Sequence, residues 1–253
     1  MVRSKKVSTS ETPTLDAEYW ATFGLEENPS TRDKLLTLAF AEISRRGILD
    51  VNARWLCDLL ELDPSAINYH FGSFDGLIAE VFVLAHRFWQ ESIAAGTAQP
   101  FSSPEDRLRN LLNAQIERAK RYGAVVGLAH LPHVSERVSA ELASRHEGAL
   151  AGVVTYAVTV TAVLIHDMRA EQISDIDLTP QNVPTQWILE SMPEAVKSAA
   201  HVQWSVVGPT MWMTGAGGGV DEIAQMPKEF SAEVMWPGFI DQLVASVKNE
   251  GSN

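Results

Sequence analysis

Few residues of this 253-residue chain stand at spacings that catalysis or metal binding would need. His130 and His133 are three apart, a spacing that can put two imidazoles on one helix face as metal ligands. Pro132 interrupts that face, and no carboxylate or cysteine stands at a supporting spacing. No metal site is therefore expected. The run GAGGG at 215–219 has the composition of a phosphate-cradling loop. A dinucleotide loop needs a strand before it and a helix directly after it. TMWMT precedes it instead, at the end of a helical pattern, so the run reads as a loop. No nucleophile elbow, P-loop or pair of carboxylates assignable to one surface is found. The chain reads as a non-enzyme that requires no cofactor.

Bulky residues, among them Phe88, Tyr156, Trp187, Met211, Trp212, Met213 and Trp236, recur at helical spacing. Their default role is ordinary core, with a minority lining an apolar pocket. Cys57 is the single cysteine, which rules out an internal disulfide. It fits a reducing cytoplasm. The first residues, MVRSKKVSTSETPT, have no apolar core and do not read as a signal peptide. Gly148 to Ile165 carry no charge over 18 residues, but hold three threonines, two glycines and a tyrosine. A helix buried in a protein core explains that stretch better than a membrane span.

Helical periodicity between capping signals dominates from Ser30 onward, and no alternating strand pattern is sustained. About nine or ten helices are expected. The first runs from Ser30 to Arg46, capped by Ser30 with Asp33 and stopped by Gly47. The second starts after Asn52. The third is very short, with Asp63 as its cap, Pro64 in its first turn and an end at Phe71-Gly72. A turn of roughly three residues between the second and third gives helix-turn-helix geometry, in which the short helix enters the major groove. A fourth, largely apolar helix runs to about Ala95. Further helical segments fall at 104–122, 135–170, 193–214 and 228–248, with a linker at 176–186.

Two segments, LLTLAFAEISRRG and VNARWLCDLLELDPSAINYHFGSFDGLIAEV, resemble the DNA-binding domain of TetR-family transcription regulators. The INYHF piece followed by a short polar stretch and Leu-Ile is the most telling part. The resemblance covers about residues 31–82. It implies an all-α protein: a helix-turn-helix domain at 30–76, after an extension at 1–29, and a ligand-binding and dimerisation domain at 77–253. It implies a homodimer that binds double-stranded operator DNA and responds to a small-molecule effector.

The resemblance also places roles. Pro64, Ser65, Ala66, Asn68, Tyr69 and His70 present the reading helix to DNA. Ser65 can donate or accept, Ala66 can touch a thymine methyl, and Asn68 can pair two-pronged with adenine. Tyr69 and His70 reach phosphates, and Arg32, Asn52 and Arg54 grip the backbone. The effector pocket lies between the fourth helix and the segments at 104–122 and 135–170, with Trp89, Ile116, Tyr156 and Trp204 in its wall.

Three positions depart from the family pattern. Glu61 replaces the usual turn glycine, Asn68 the usual tyrosine of the reading helix, and Phe74 the usual lysine before the fourth helix. The formal net charge is −12, and residues 1–90 hold 9 Lys/Arg against 13 Asp/Glu. Each feature weakens nonspecific attraction to phosphates. They motivate an alternative: a helical sensor of the same fold that no longer reads an operator. The cluster Arg3, Lys5 and Lys6 is either a minor-groove arm or a polar terminus.

Two apolar stripes suggest the dimer contact. Phe239, Ile240, Leu243, Val244 and Val247 form one, and Ala195, Ala199, Val202 and Val206 form a flatter one. Two such helices from each chain would pack as a four-helix bundle, the arrangement the resemblance implies.

Overall fold

The computed structural model describes residues 14–98, 100–128, 132–146, 149–213 and 232–249. Among them every regular element is helical. The order is α1 (Ala17–Ala21), α2 (Thr31–Arg46), α3 (Ala53–Leu59), α4 (Ser65–Phe71), α5 (Phe74–Thr97), α6 (Pro104–Leu128), α7 (Pro132–Arg145), α8 (Ala149–Ala170), α9 (Thr185–Ser191), α10 (Pro193–Met213) and α11 (Ala232–Asn249), with a 3-10 turn at Ile48–Asp50.

Local chemistry sets the ends of the first helices. Ser30 Oγ accepts the Asp33 N–H at 3.2 Å and donates to the Asp33 carboxylate at 2.7 Å, closing the start of α2. Gly47, at φ +81°, ends it with its N–H on the Ile43 carbonyl. Asn52 Oδ1 accepts the Trp55 N–H at 3.0 Å and starts α3. The turn after α3 is a Schellman closure: the Leu62 N–H reaches back to the Cys57 carbonyl at 2.9 Å. That closure needs a left-handed residue, and Glu61 supplies it at φ +54°. The Asp63 carboxylate then receives the Ser65 N–H at 2.8 Å and starts α4.

Two buried cores result. The first gathers Leu35, Leu38, Phe40 and Ile43 of α2, Leu56 and Cys57 of α3, Ile67 and Phe71 of α4, and Leu77 to Ala85 of α5. Val138 and Leu142 of α7 also belong to it. An expected domain boundary at 76/77 therefore falls inside one continuous core. The second core joins Ile93 of α5 to Leu108, Leu111 and Ile116 of α6, Val160 to Ile165 of α8, and the inner faces of α10 and α11. At 24 residues α5 is roughly 36 Å long and belongs to both cores. It crosses α6 at Gly96, where an added Cβ would stand 3.2 Å from the Ala114 methyl.

The β-branched run in α8 is helical because its polar groups are served within the helix. Thr159 donates to the Thr155 and Tyr156 carbonyls and Thr161 to that of Ala157. Gln203 of α10 then donates to Thr161 Oγ1 at 2.7 Å. Among the described residues no helix is long and apolar enough to cross a membrane. Residues 135–170, expected as one long helix, divide into α7 and α8. α1 and α9 are further helices that periodicity did not resolve; each is under two turns.

Candidate nucleic-acid interface

α4 is short enough that its two faces are easily told apart. Ile67 and Phe71, four residues apart, are both buried in the first core. Pro64, Ser65, Asn68 and Tyr69 are exposed, while Ala66 and His70 are half-buried. Tyr69 is 85% exposed. Its ring meets that of His70 edge-on, with centroids 4.9 Å apart. The helix therefore offers Ser65, Asn68 and Tyr69 outward while its apolar side anchors it.

The expected phosphate-gripping residues divide. Arg54, at the start of α3, is solvated and lies 4.0 Å from Asp58, so its charge is available. Asn52 spends its carbonyl oxygen on the helix cap. Arg32 is engaged within the chain: it lies 3.0 Å from Glu80 and its guanidinium covers the Phe71 ring at 5.2 Å. That engagement makes Arg32 a brace between α2, α4 and α5 before it is anything else. Phe74, where the resembling pattern has lysine, packs half-buried against the first core.

The surroundings are acidic. Asp58, Glu61 and Asp63 are all exposed along the turn into α4. Hydrogen bonds from the side chain and backbone of Ser65 hold the Asp63 carboxyl below its ordinary range, so it stays charged.

Three of the four residues expected around an effector share the second core, and Trp204 lies apart. Ile116 and Tyr156 are buried in the second core, and Trp89 packs against it. The Tyr156 hydroxyl donates to the Leu178 carbonyl at 2.7 Å. Burial raises that phenol to about 12, with Asp177 adding to the effect. Trp89 lies under the Arg118 guanidinium at 4.9 Å, and its Nε1 has no hydrogen-bond partner among the described residues. Trp204 is 75% exposed, so it walls no interior pocket. A cavity the sequence did not suggest opens instead between the end of α5 and the loop at 173–179, with Arg107 in its wall. Its signal in the sequence was faint: Asp167, the acid facing Arg107, is 60 positions away.

The expected dimer stripes need correction. Ala195, Ala199, Val202, Val206, Ile240, Val244 and Val247 are buried in the chain's own second core, and Phe239 and Leu243 pack half-buried against it. A stripe already covered by its own chain cannot meet a second copy. Among the described residues, the exposed large apolar side chains of α9 to α11 are Trp187, Leu189, Trp204, Val234 and Met235.

Arg3, Lys5, Lys6, His130 and the GAGGG run lie outside the described residues, as do the side chains of His133, Met211, Trp212 and Met213. Cys57 is buried, and burial pushes its thiol up. No protein-family model matches this sequence, and no curated protein matches it.

Proposed function

We propose that the chain is a DNA-binding transcription regulator of the TetR type, probing operator DNA with α4 and answering to a small effector held among α5–α10. The observation that carries this reading is the division of α4. Ile67 and Phe71 fix the helix, and Ser65, Asn68 and Tyr69 project a hydrogen-bonding set into solvent. Tyr69, 85% exposed, leaves its ring and hydroxyl open to a partner. The left-handed turn at Glu61 supports the same reading, since it keeps the geometry for which the resembling family uses glycine. In this reading the protein is a repressor and a homodimer, since two reading helices about 34–36 Å apart match successive grooves of a palindromic site.

A gel shift with the DNA upstream of the chain's own gene tests it. Specific retardation at moderate salt is expected. Asn68→Ala should cost about 1–3 kcal/mol and relax preference at one base pair. Equal affinity for every DNA, unchanged by Asn68→Ala, would reject α4 as the reader. The second reading, a sensor that keeps the fold without DNA, draws on the acidic flank at Asp58, Glu61 and Asp63. It predicts no retardation at any salt.

A further inference from the structure

The outward face of α4 does not end with the helix. Ser65 and Asn68 share that face at helical spacing, and Gly72 follows Asn68 by one turn. The Gly72 N–H closes the last turn on the Asn68 carbonyl at 2.9 Å, so its Cα stands beyond Asn68 on the same side. Gly72 is exposed and has no side chain to continue the face. A side chain from another helix takes that place. A Cβ on Gly72 would stand 2.8 Å from Arg145 Nη2, and one on Gly76 would stand 3.1 Å from the same nitrogen.

The C-terminal end of α7 thus lays a guanidinium on the turn between α4 and α5. One contact holds it: Arg145 Nε donates to Glu141 Oε2 at 2.8 Å. The other oxygen of Glu141 accepts the Ser73 hydroxyl at 3.2 Å, which fixes the pair to the head of α5. Glu141 therefore engages Nε alone, and neither terminal nitrogen of Arg145 has a hydrogen-bond partner among the described residues. The side chain is 34% exposed, so those nitrogens can be reached from solvent.

Position decides what such a cation would meet. In a reading helix the N-terminal residues approach base edges, here Ser65 to Asn68, and the far end is left to the sugar-phosphate backbone. Arg145 stands at that far end. Phe74, at the head of α5, is half-buried and brings no charge of its own. A guanidinium with both terminal nitrogens open matches a phosphate, which accepts two parallel N–H bonds. We infer that Arg145 of α7 contacts a backbone phosphate of bound DNA, completing the face of α4 with a cation from a distant part of the chain. The inference rests on the proposed function.

Gel shifts across roughly 50–200 mM salt test it, with the DNA upstream of the chain's own gene and with an unrelated fragment. Arg145→Gln should weaken both complexes by a similar factor, roughly tenfold at about 0.1 M salt, and lower the salt slope by about 1. Arg145→Lys keeps a positive charge and should restore the slope. Glu141→Gln breaks the same ion pair but keeps the cation, so the slope should not fall. Melting temperatures and circular dichroism without DNA guard the comparison. Arg145 is exposed, and α7 enters the first core through Val138 and Leu142, so the variants should stay folded. Equal losses of affinity for Arg145→Gln and Glu141→Gln, with the slope unchanged, would make Arg145 a brace between α7 and α5 and overturn the inference. Affinity and slope both untouched by Arg145→Gln would overturn it and spare the proposed function. No DNA binding by the unaltered chain would reject the two together.

Discussion

The Arg32 guanidinium lies 3.0 Å from the Glu80 carboxylate. His146 Nε2 stands at the same distance from that carboxylate's other oxygen. One side chain of α5 therefore ties α2 to the end of α7. Close by, Ser73 at the head of α5 donates to Glu141 of α7 at 3.2 Å. Together with Val138 and Leu142 in the first core, these contacts fasten α7 to the unit formed by α2 to α5.

Removing that tie should be felt in stability. Glu80→Gln keeps the shape and deletes the charge. Arg32 is partly solvated, so screening reduces what the pair contributes. A loss of about 1 kcal/mol is expected, read as a lower urea midpoint with an unchanged slope. An unchanged midpoint would show that the Glu80 charge contributes nothing to holding α7 in place.

Glu61 sits at φ +54°, where a Cβ is disfavoured. Glycine relieves that strain, less its greater loss of backbone freedom on folding. Glu61→Gly should stabilise the chain by about 0.5–1 kcal/mol. If α4 reads DNA, the same change removes a negative charge beside it and tightens binding. Glu61→Val should do the reverse in thermal melts. A destabilised Glu61→Gly would mean that the side chain contributes more than its backbone costs.

Gly76 is required for a different reason. A Cβ there would stand 2.3 Å from the Phe71 carbonyl oxygen, closer than any relaxed contact. Gly76→Ala must push α5 away from the end of α4, and a cost of about 1–3 kcal/mol is expected. Two-dimensional NMR should show shifts centred on 65–76. A spectrum altered nowhere near α4 would refute the close approach.

High pH offers a test of burial. Burial raises Tyr19 and Tyr156 to about 12 each, from the ordinary 10. In the unfolded chain these phenols ionise first, so the native state holds more protons between pH 10 and 12. Stability is then complete below pH 10 and falls as pH rises through 12. Tyr156 alone should account for on the order of 2–3 kcal/mol of that fall. Absorbance at 295 nm should show both phenols ionising late. Tyr156→Phe, which also loses the Leu178 bond, should flatten part of the slope.

Much of this fold is legible in residues that speak locally. Ser30, Gly47, Asn52 and Asp63 are capping residues, and the ends of α2, α3 and α4 follow from them. The outward face of α4 follows from the spacing of Ile67 and Phe71. What depends on distant pairing was not legible. Arg32 looks like a free cation until Glu80 arrives beside it. Arg107 looks like a surface residue until Asp167 arrives from α8. The apolar stripes of α10 and α11 have the same periodicity whether they face their own chain or a second copy. Periodicity reports that a face is buried and is silent on what buries it.

That silence bears directly on assembly. The inner stripes are covered by α6 and α8, so a dimer must use what remains outside. Trp204 is 75% exposed on α10 and Met235 is 54% exposed on α11. Large apolar side chains this open, together with Trp187, Leu189 and Val234, are what an interface between copies would cover. A homodimer, if the chain forms one, is accordingly expected to bury these side chains of α9 to α11. Light scattering should give a mass near twice 27.8 kDa at micromolar concentration. Trp204→Asp with Met235→Asp should return it to a single chain, with helicity kept because neither residue is in the core. Placing Asp at Val244 should unfold the chain instead, since that side chain is buried within it. A mass near 27.8 kDa for the unaltered protein would remove the dimer and, with it, the two-fold match to a palindromic operator.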